Sequence, residues 1–271
     1  LKFISKEVSM NLSAAANANT ADLVLFAMLL LVGVLIAVLT VFSTVVSIIL
    51  AIRYVKYNRM QNSMNMTGED AARRLLDQNG LSDIKVKTTG SLLFGNSYSH
   101  FFKKIRLRRL TRHKESLTAM AMAAQKVGLA VMDKEGDPDM KTRNRLIPVL
   151  TFGPFAFIPL VLLGMVLDVF LFSGSGVCTF VFAALAILFY ALSFIFSLIT
   201  LKTEKKAQER CYLLLSENGM ATTEELTLMH GLFRLYNIQY INNIILSMLE
   251  LIYRTLKIVF ELRTNRSLRK N

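Results

Sequence analysis

The sequence contains no tryptophan and only two cysteines, Cys178 and Cys211, in 271 residues. With no Cys-x-x-Cys pair and no Cys/His cluster, the sequence implies neither a disulfide framework nor a structural zinc module. Charged residues make up only 19% of the chain, whereas soluble globular domains usually carry about 25%. Acidic residues are scarcer than basic ones, with 19 Asp and Glu against 32 Lys and Arg, so the formal net charge is +13.

Long apolar stretches account for the missing charge, since 53% of the chain is hydrophobic. Three stretches, 22–52, 147–172 and 177–201, are each long enough for the helix of about 20 residues that crosses a bilayer. Turn and strand signals are confined to the polar segments between them. The sequence therefore predicts a mainly α, polytopic membrane protein with about three transmembrane helices and a small α+β domain.

The distribution of basic residues predicts how these helices are oriented. Arg53 follows the first stretch and Lys202 follows the third, whereas only a Ser-Gly-Ser-Gly turn joins the second to the third. Cytoplasmic loops carry an excess of Lys and Arg. We therefore expect 53–146 and 202–271 to be cytoplasmic and 1–21 to be a short non-cytoplasmic segment.

The polar region 53–146 contains clear local signals. Thr67 is a candidate N-cap for a helix within 67–80, followed by acidic residues and closed by Asn-Gly. The segment 81–89 alternates as a strand does, and the basic run 103–109 is a second candidate strand. Residues 116–132 form a predicted helix that is apolar over most of its surface.

Two features in the apolar regions leave alternatives open. Asp168 is an ionisable residue within 147–172, and such a residue is a functional-site hypothesis by default. We favour the simpler interpretation that it lies near the outer end of its helix and reaches water. The segment 238–260 has helical spacing interrupted by charges, so it either lies against the membrane or other helices or forms a poor fourth span.

Five ordered blocks of this chain resemble the bacterial YugP-type neutral zinc metallopeptidases, small membrane proteins with a cytoplasmic His-Glu-x-x-His helix. The blocks are MTGEDAARRLLDQNGLSDIKV (66–86), SLTAMAMAAQKVGLAV (116–131), NRLIPVLTFG (144–153), SLITLKTEKKAQER (197–210) and SENGMATTEEL (216–226). The resemblance covers most of the chain and implies a bacterial plasma-membrane protein whose cytoplasmic region has the metallopeptidase fold.

The same resemblance locates the positions that carry the family's chemistry. In His-Glu-x-x-His, residues four apart share a helix face and hold one zinc, while the Glu activates the zinc-bound water. Here the sequence is Gln-Lys-Val-Gly-Leu, so the ligand positions are Gln125 and Leu129 and the base position is Lys126. The family's third ligand aligns with Glu204. These substitutions imply that the zinc site is lost and that no cofactor is bound.

Glu204 is the single retained group of this set, and two interpretations of it remain. It is either a solvated ion-pair partner among the neighbouring lysines, or it forms a salt bridge with Lys126. In the second case a cation stands where the family holds zinc, facing the surviving carboxylate. The separation between Lys126 and Glu204 decides between these interpretations.

Three histidines are available for an alternative metal site. His100 and His113 flank the basic run, but their spacing matches no recognised zinc pattern. We therefore interpret both, and also His230, as surface or core residues. A rebuilt zinc site that uses His100 and His113 is the competing possibility.

A cluster of basic residues is the remaining candidate binding site. Beside a membrane, such residues attract anionic lipid headgroups, so we rank contact with lipid or with a protein partner first and contact with nucleic acid last. The candidate residues are Lys103, Lys104, Arg106, Arg108, Arg109 and Arg112.

The sequence therefore predicts a catalytically inactive relative of a membrane zinc metallopeptidase. We expect it to act as a scaffold, accessory or regulatory subunit, with another membrane protein as its partner, such as an active relative or a larger complex. The alternatives are an active zinc peptidase with relocated ligands and a membrane protein that binds anionic lipid or nucleic acid.

Overall fold

The computed structural model describes residues 20–89, 95–151, 153–171 and 176–268. These residues form eight helices and three strands. In chain order they are α1 (Thr20–Arg59), α2 (Gly68–Gln78), β1 (Lys85–Thr88), β2 (Ser97–Ser99), β3 (Lys104–Leu107), α3 (Arg109–His113), α4 (Leu117–Glu135), α5 (Pro138–Thr151), α6 (Gly153–Leu171), α7 (Val177–Glu217) and α8 (Thr223–Leu268). The mainly α class with a small sheet is confirmed.

The chain divides into two compact units, residues 1–47 with 241–271 and residues 48–240. In the first unit, the start of α1 packs against the end of α8. The ring centroids of Phe26 and Phe260 are 6.3 Å apart, and the Asn242 amide donates to the carbonyl of Leu39 over 3.4 Å. Early residues of α1 thus meet late residues of α8, so the two helices run antiparallel.

The second unit is built around α4. Every residue of this helix from Leu117 to Met132 is buried, as its nearly continuous apolar sequence predicts. Leu75 and Leu76 of α2 belong to the same core as the inward side chains of β3. A helix that is apolar on all sides is buried in a protein core or in a membrane. Here protein surrounds α4, so this helix is the centre of the unit.

Helix α2 confirms the predicted capping signals. The Thr67 hydroxyl accepts from the Asp70 amide, and the Asp70 carboxylate accepts from the Thr67 amide, which completes a capping box. Gly80 has φ of +63°, a left-handed conformation that glycine adopts without strain. The Asn-Gly signal therefore ends the helix as expected.

The sheet has the strand order β1-β3-β2, with β3 parallel to β1 and antiparallel to β2. The two strands predicted within 81–89 and 103–109 are both present. Strand β2 was not predicted, because Ser-Tyr-Ser is short and mostly polar. It is ordered by pairing with β3 and by burial of Tyr98.

Two helices of the described chain are long and apolar enough to cross a membrane, Asp22–Arg59 and Val177–Glu217. The third predicted stretch, 147–172, is divided between the end of α5 and helix α6, and its apolar helical part Pro159–Leu171 is shorter. The Gly153-Pro154 pair favours a helix start at this point. The prediction of three spans thus remains a prediction.

The C-terminal half is more continuous than predicted. The third apolar stretch was predicted to end at residue 201, but α7 runs unbroken from it through Lys202 to Glu217. Likewise, 238–260 belongs to the single helix α8. No Gly or Pro interrupts 198–217, so the helix continues past the apolar boundary.

The prediction that Asp168 reaches water is wrong. Asp168 is only 3% exposed, and its two carboxylate oxygens accept from the amides of Cys178 and Thr179 over 2.9 and 2.6 Å. These amides are in the first turn of α7, where N–H groups have no partner within the helix. The negative charge also matches the positive end of the helix dipole, so Asp168 caps the neighbouring helix.

Candidate functional site

Helix α4 carries three of the four candidate positions, and its ends are well defined. The Ser116 hydroxyl accepts from the Ala119 amide over 3.2 Å, which is an N-cap interaction. Gly136 ends the helix in a left-handed conformation with φ of +74°. These two signals fix the helix in register and present Gln125, Lys126 and Leu129 near its middle.

Gly128 allows α4 to approach α7 closely. A Cβ atom at this position would lie 2.6 Å from the carbonyl oxygen of Ala207, which is too close for any side chain. The close approach brings the buried face of α4 against the charged part of α7, where Glu204 is located. The two helices therefore hold the candidate residues in one place.

The structure brings Gln125, Lys126 and Glu204 together. The Lys126 ammonium donates to Glu204 Oε2 over 2.8 Å, and Gln125 Nε2 donates to the same oxygen over 2.9 Å. Of the two interpretations that the sequence leaves open for Glu204, the salt bridge with Lys126 is therefore the one present. The side chains of Lys126 and Glu204 are only 10% and 21% exposed, so the pair is mostly shielded from water.

Arg143 of α5 completes the cluster, and no sequence pattern had indicated its role. Its Nη2 is 3.6 Å from Glu204 Oε1, so one carboxylate faces two cations. Burial by itself raises the pKa of the Glu204 carboxyl, but the charges of Lys126 and Arg143 more than offset this and lower it. Glu204 is thus held ionised.

The donor chemistry of the four candidate positions can be compared with that of zinc sites. Zinc in proteins is bound by Cys, His, Asp or Glu side chains. Of Gln125, Lys126, Leu129 and Glu204, only Glu204 is of such a type, and its Oε2 already accepts from Gln125 and Lys126. Leu129 is fully buried and offers no donor atom. These residues do not fit a zinc ion.

The histidines are dispersed, and their contacts are with other groups. His100 Nδ1 is 2.6 Å from Asp133 Oδ2, which also accepts from the Tyr98 hydroxyl. His113 ends helix α3, and the ring of His230 packs against that of Tyr212 at 5.5 Å. Over the described ranges, no group of three or more His, Cys, Asp or Glu side chains is arranged to hold a metal.

A row of ion pairs, which the sequence did not predict, joins α7 to the end of α4, the start of α5 and the turn between them. The basic partners follow one another along α7 at intervals of four residues, so they share one face of the helix. The pairs are Lys202 with Asp139, Lys206 with Asp137 and Asp139, and Arg210 with Glu135. Hydrogen bonds from Lys206 and then Lys202 lower the pKa of Asp139.

A second unpredicted contact joins α7 to α8. The amides of Gln208 and Asn237 exchange two hydrogen bonds, of 3.0 and 2.7 Å. Gln208 is one turn of helix beyond Glu204, so this polar pair lies next to the charged cluster. No local pattern indicated this pairing, because Gln208 lies among charged residues and its partner is on another helix.

The predicted basic cluster is divided between different environments. Arg112 is engaged inside the unit, since it pairs with Glu69 and donates to Thr88 Oγ1 over 2.6 Å. Lys103 is exposed and pairs with Asp83, while Lys104 and Arg106 project from the outer face of β3. Arg108 and Arg109, at the start of α3, are exposed.

Comparisons with known proteins identify the family of this chain. The family profile described as "Putative neutral zinc metallopeptidase" matches residues 31–259. The chain is also 32% identical over 171 residues to the "Putative membrane protease YugP" of Bacillus subtilis strain 168, covering 63% of this chain and 71% of that protein. No solved structure matches the chain significantly. With most of its length matched, the chain belongs to the family described as putative neutral zinc metallopeptidases.

Proposed function

We propose that this chain is a catalytically inactive member of its family that acts as a scaffold, accessory or regulatory subunit of a membrane protein complex. The carrying observation is the Lys126–Glu204 salt bridge. A lysine ammonium bound to the carboxylate supplies the positive charge that the metal supplies in a zinc site. A fixed cation at that position also repels a second cation, and it accepts no proton while it is charged.

The helices that surround the family's catalytic positions are still well packed, which supports a binding role rather than a protein that is losing its fold. Helix α4 keeps its caps, and its residues from Leu117 to Met132 are buried. Gly128 keeps the close approach to Ala207. A buried charge that loses its partner destabilises a protein strongly, so the pairing of Glu204 preserves the fold where a bare carboxylate would weaken it. The substitutions thus keep the fold stable, and with it the outer surface that a partner would bind, while the catalytic chemistry is lost.

The membrane placement is part of this proposal. We infer that α1, the α5–α6 region and α7 cross a bacterial plasma membrane, with the polar domain in the cytoplasm and the N-terminus outside. Asp168 supports a hairpin of α6 and α7, because it caps α7 from the neighbouring helix. Gly164 supports it too, since a Cβ there would lie 2.8 Å from Phe182 Cβ.

Metal content and its restoration test the proposal. The wild-type protein, purified in mild detergent with excess zinc and then dialysed, is expected to retain no stoichiometric zinc by mass spectrometry. The variant Gln125→His/Lys126→Glu/Leu129→His rebuilds the family motif opposite Glu204 and is expected to retain zinc. The matched control Gln125→His alone leaves Lys126 in place and is expected to remain metal-free.

Two results would contradict the proposal. One is stoichiometric zinc in the wild-type protein together with metal-dependent cleavage of casein. If that activity were lost on His100→Ala or His113→Ala, it would assign the chain to the active peptidases with relocated ligands. The other is a folded rebuilt variant that binds no zinc, which would show that the framework is not retained.

The partner is tested by purification from native membranes in mild detergent, with identification of bound proteins by mass spectrometry. We expect a membrane protein at fixed stoichiometry, such as an active relative or a larger complex. Reciprocal purification through that partner should recover this chain. A chain that is always recovered alone, from membranes where its expression is native, would contradict the scaffold role.

A further inference from the structure

The turn between β2 and β3 carries two exposed aromatic side chains. The Lys103 amide donates to the carbonyl of His100 over 3.2 Å, so Phe101 and Phe102 are the two central residues of a β-turn. They are 65% and 68% exposed, although they are large and apolar. Two adjacent exposed phenylalanines at the tip of a hairpin are typical of a surface that contacts another phase or molecule.

A basic sheet face adjoins this tip. Lys85 of β1 is in register with Lys104 of β3, and Lys87 is in register with Arg106, so like charges stand opposite one another across the strands. Such pairs are unfavourable. Within the part of the chain that the structure describes, no carboxylate is at salt-bridge distance from these four side chains. The sheet face thus favours an anionic surface.

Lys104 connects the two features. Its ammonium lies 4.2 Å from the centroid of the Phe102 ring, which is a cation–π contact. Desolvation, followed by the charges of Arg106 and Lys87, lowers the pKa of Lys104. An anion near this residue would relieve the repulsion. Aromatic and cationic groups therefore form one continuous surface, here called the aromatic-basic tip: Lys85, Lys87, Phe101, Phe102, Lys103, Lys104 and Arg106.

Hydrogen bonds place the tip next to the start of an apolar stretch. His100, the first residue of the turn, contacts Asp133 Oδ2 at 2.6 Å, and Asp133 Oδ1 accepts from the Asn144 amide over 2.8 Å. Asn144 is on α5, three residues before the apolar stretch that begins at Ile147, which is a rise of about 4.5 Å along a helix. The first residue of the turn is therefore linked through Asp133 to a residue close to the start of the apolar stretch.

We propose that the aromatic-basic tip inserts into the headgroup region of an anionic lipid bilayer, with Phe101 and Phe102 below the headgroups and the basic residues among the phosphates. The proposal rests on the proposed function only in that the apolar helices cross a bilayer. Interfacial anchoring by apolar rings with flanking Lys and Arg follows the general physics of membrane surfaces.

The absence of tryptophan provides a clean test. Phe101→Trp, or Phe102→Trp as a second probe, introduces a single fluorophore into the full chain. Each variant is reconstituted into bilayers of equal parts phosphatidylcholine and phosphatidylglycerol, with the phosphatidylcholine brominated near the glycerol end of its acyl chains. We expect a blue-shifted emission that loses most of its intensity to the bromine, because the quencher acts only at short range.

Matched probes separate this proposal from the membrane placement. Leu188→Trp, at an exposed position in the apolar part of α7, should be quenched if α7 crosses the bilayer. Leu213→Trp, at an exposed position roughly 18 Å further along α7 than Leu201, should not be quenched. If the Leu188 probe is quenched but both tip probes are not, the tip proposal is overturned and the spanning helices stand. If the Leu188 probe is also unquenched, both fail.

The lipid charge is tested in the same system. Lys103→Glu/Lys104→Glu, combined with Phe101→Trp, should lose the quenching in the mixed bilayer. The Phe101→Trp variant with both lysines intact should lose it in a bilayer of brominated phosphatidylcholine alone. Equal quenching in both bilayers would overturn the requirement for anionic lipid. A tip probe that is unquenched in lipid but becomes shielded in a complex purified from native membranes would assign the surface to a protein partner and overturn the proposal.

Discussion

Removal of the Lys126 ammonium should destabilise the protein more than a typical surface substitution does. In Lys126→Met, the Glu204 carboxylate keeps the hydrogen bond from Gln125 and the more distant Arg143, at 3.6 Å. Loss of one partner from a buried ion pair costs about 3–5 kcal/mol. Since the Glu204 side chain is 21% exposed and Arg143 still faces it, we expect about 2–4 kcal/mol.

A double-mutant cycle measures the interaction energy between Lys126 and Glu204. It compares the stabilities of Lys126→Met, Glu204→Gln and the double variant with that of the wild type. Lys126→Met/Glu204→Gln removes both charges of the pair but takes the carboxylate away from Arg143, so it should recover only part of the stability lost in Lys126→Met alone. A coupling energy of at least about 1 kcal/mol between the two positions is expected for residues in direct contact. For a domain of this size, the single variant should lower Tm by roughly 5–15 °C.

Cys211 provides the assay. It is fully buried between α7 and α4, where its thiol contacts the carbonyl of Ala121. In a Cys178→Ser background, a fluorogenic thiol reagent therefore reacts when this interface opens on heating in detergent. A Lys126→Met variant with unchanged Tm, or a double variant with strictly additive loss, would refute the interpretation of Lys126 as a structural replacement for the metal.

Three further predictions are also measured as Tm, the first two with the same assay and the pH series by circular dichroism, because a thiol hardly reacts at acid pH. Gly128→Ala forces a Cβ against the Ala207 carbonyl and should destabilise by about 1–3 kcal/mol; an unchanged Tm would show that the helices separate easily. Asp168→Ala removes two hydrogen bonds from the first turn of α7 and should cost about 1–2 kcal/mol, with Asp168→Asn intermediate; equal Tm values for both would argue against the cap. The folded-state pKa of Glu204 is lowered, so the stability that its ionised carboxylate contributes is present above the unfolded pKa of about 4.3 and is lost as pH falls below that value. The Tm of the wild type should therefore fall on acidification, and the Tm of Lys126→Met should fall less. Parallel curves of Tm against pH for the two proteins would contradict this.

Much of the local structure was evident from neighbouring residues. Thr67 and the acidic turn after it predicted α2, and the continuous apolar composition of 116–132 predicted a buried helix, because capping and hydrophobic pattern act over a few residues. The identities of Gln125, Lys126 and Leu129 are also read directly from the sequence. No structure is needed to see that none of these side chains is a usual zinc ligand.

The sequence by itself predicted membrane-spanning helices and identified the family, and it placed Gln, Lys and Leu at positions 125, 126 and 129. Only the tertiary structure decided which groups meet. Lys126 and Glu204 are 78 positions apart, and Arg143 joins them from a third helix. Asp168 was expected to reach water, but it is buried because the first turn of another helix needs acceptors. Strand β2 exists because β3 lies beside it. Contacts of this kind depend on how whole helices and strands pack, and no local propensity encodes them.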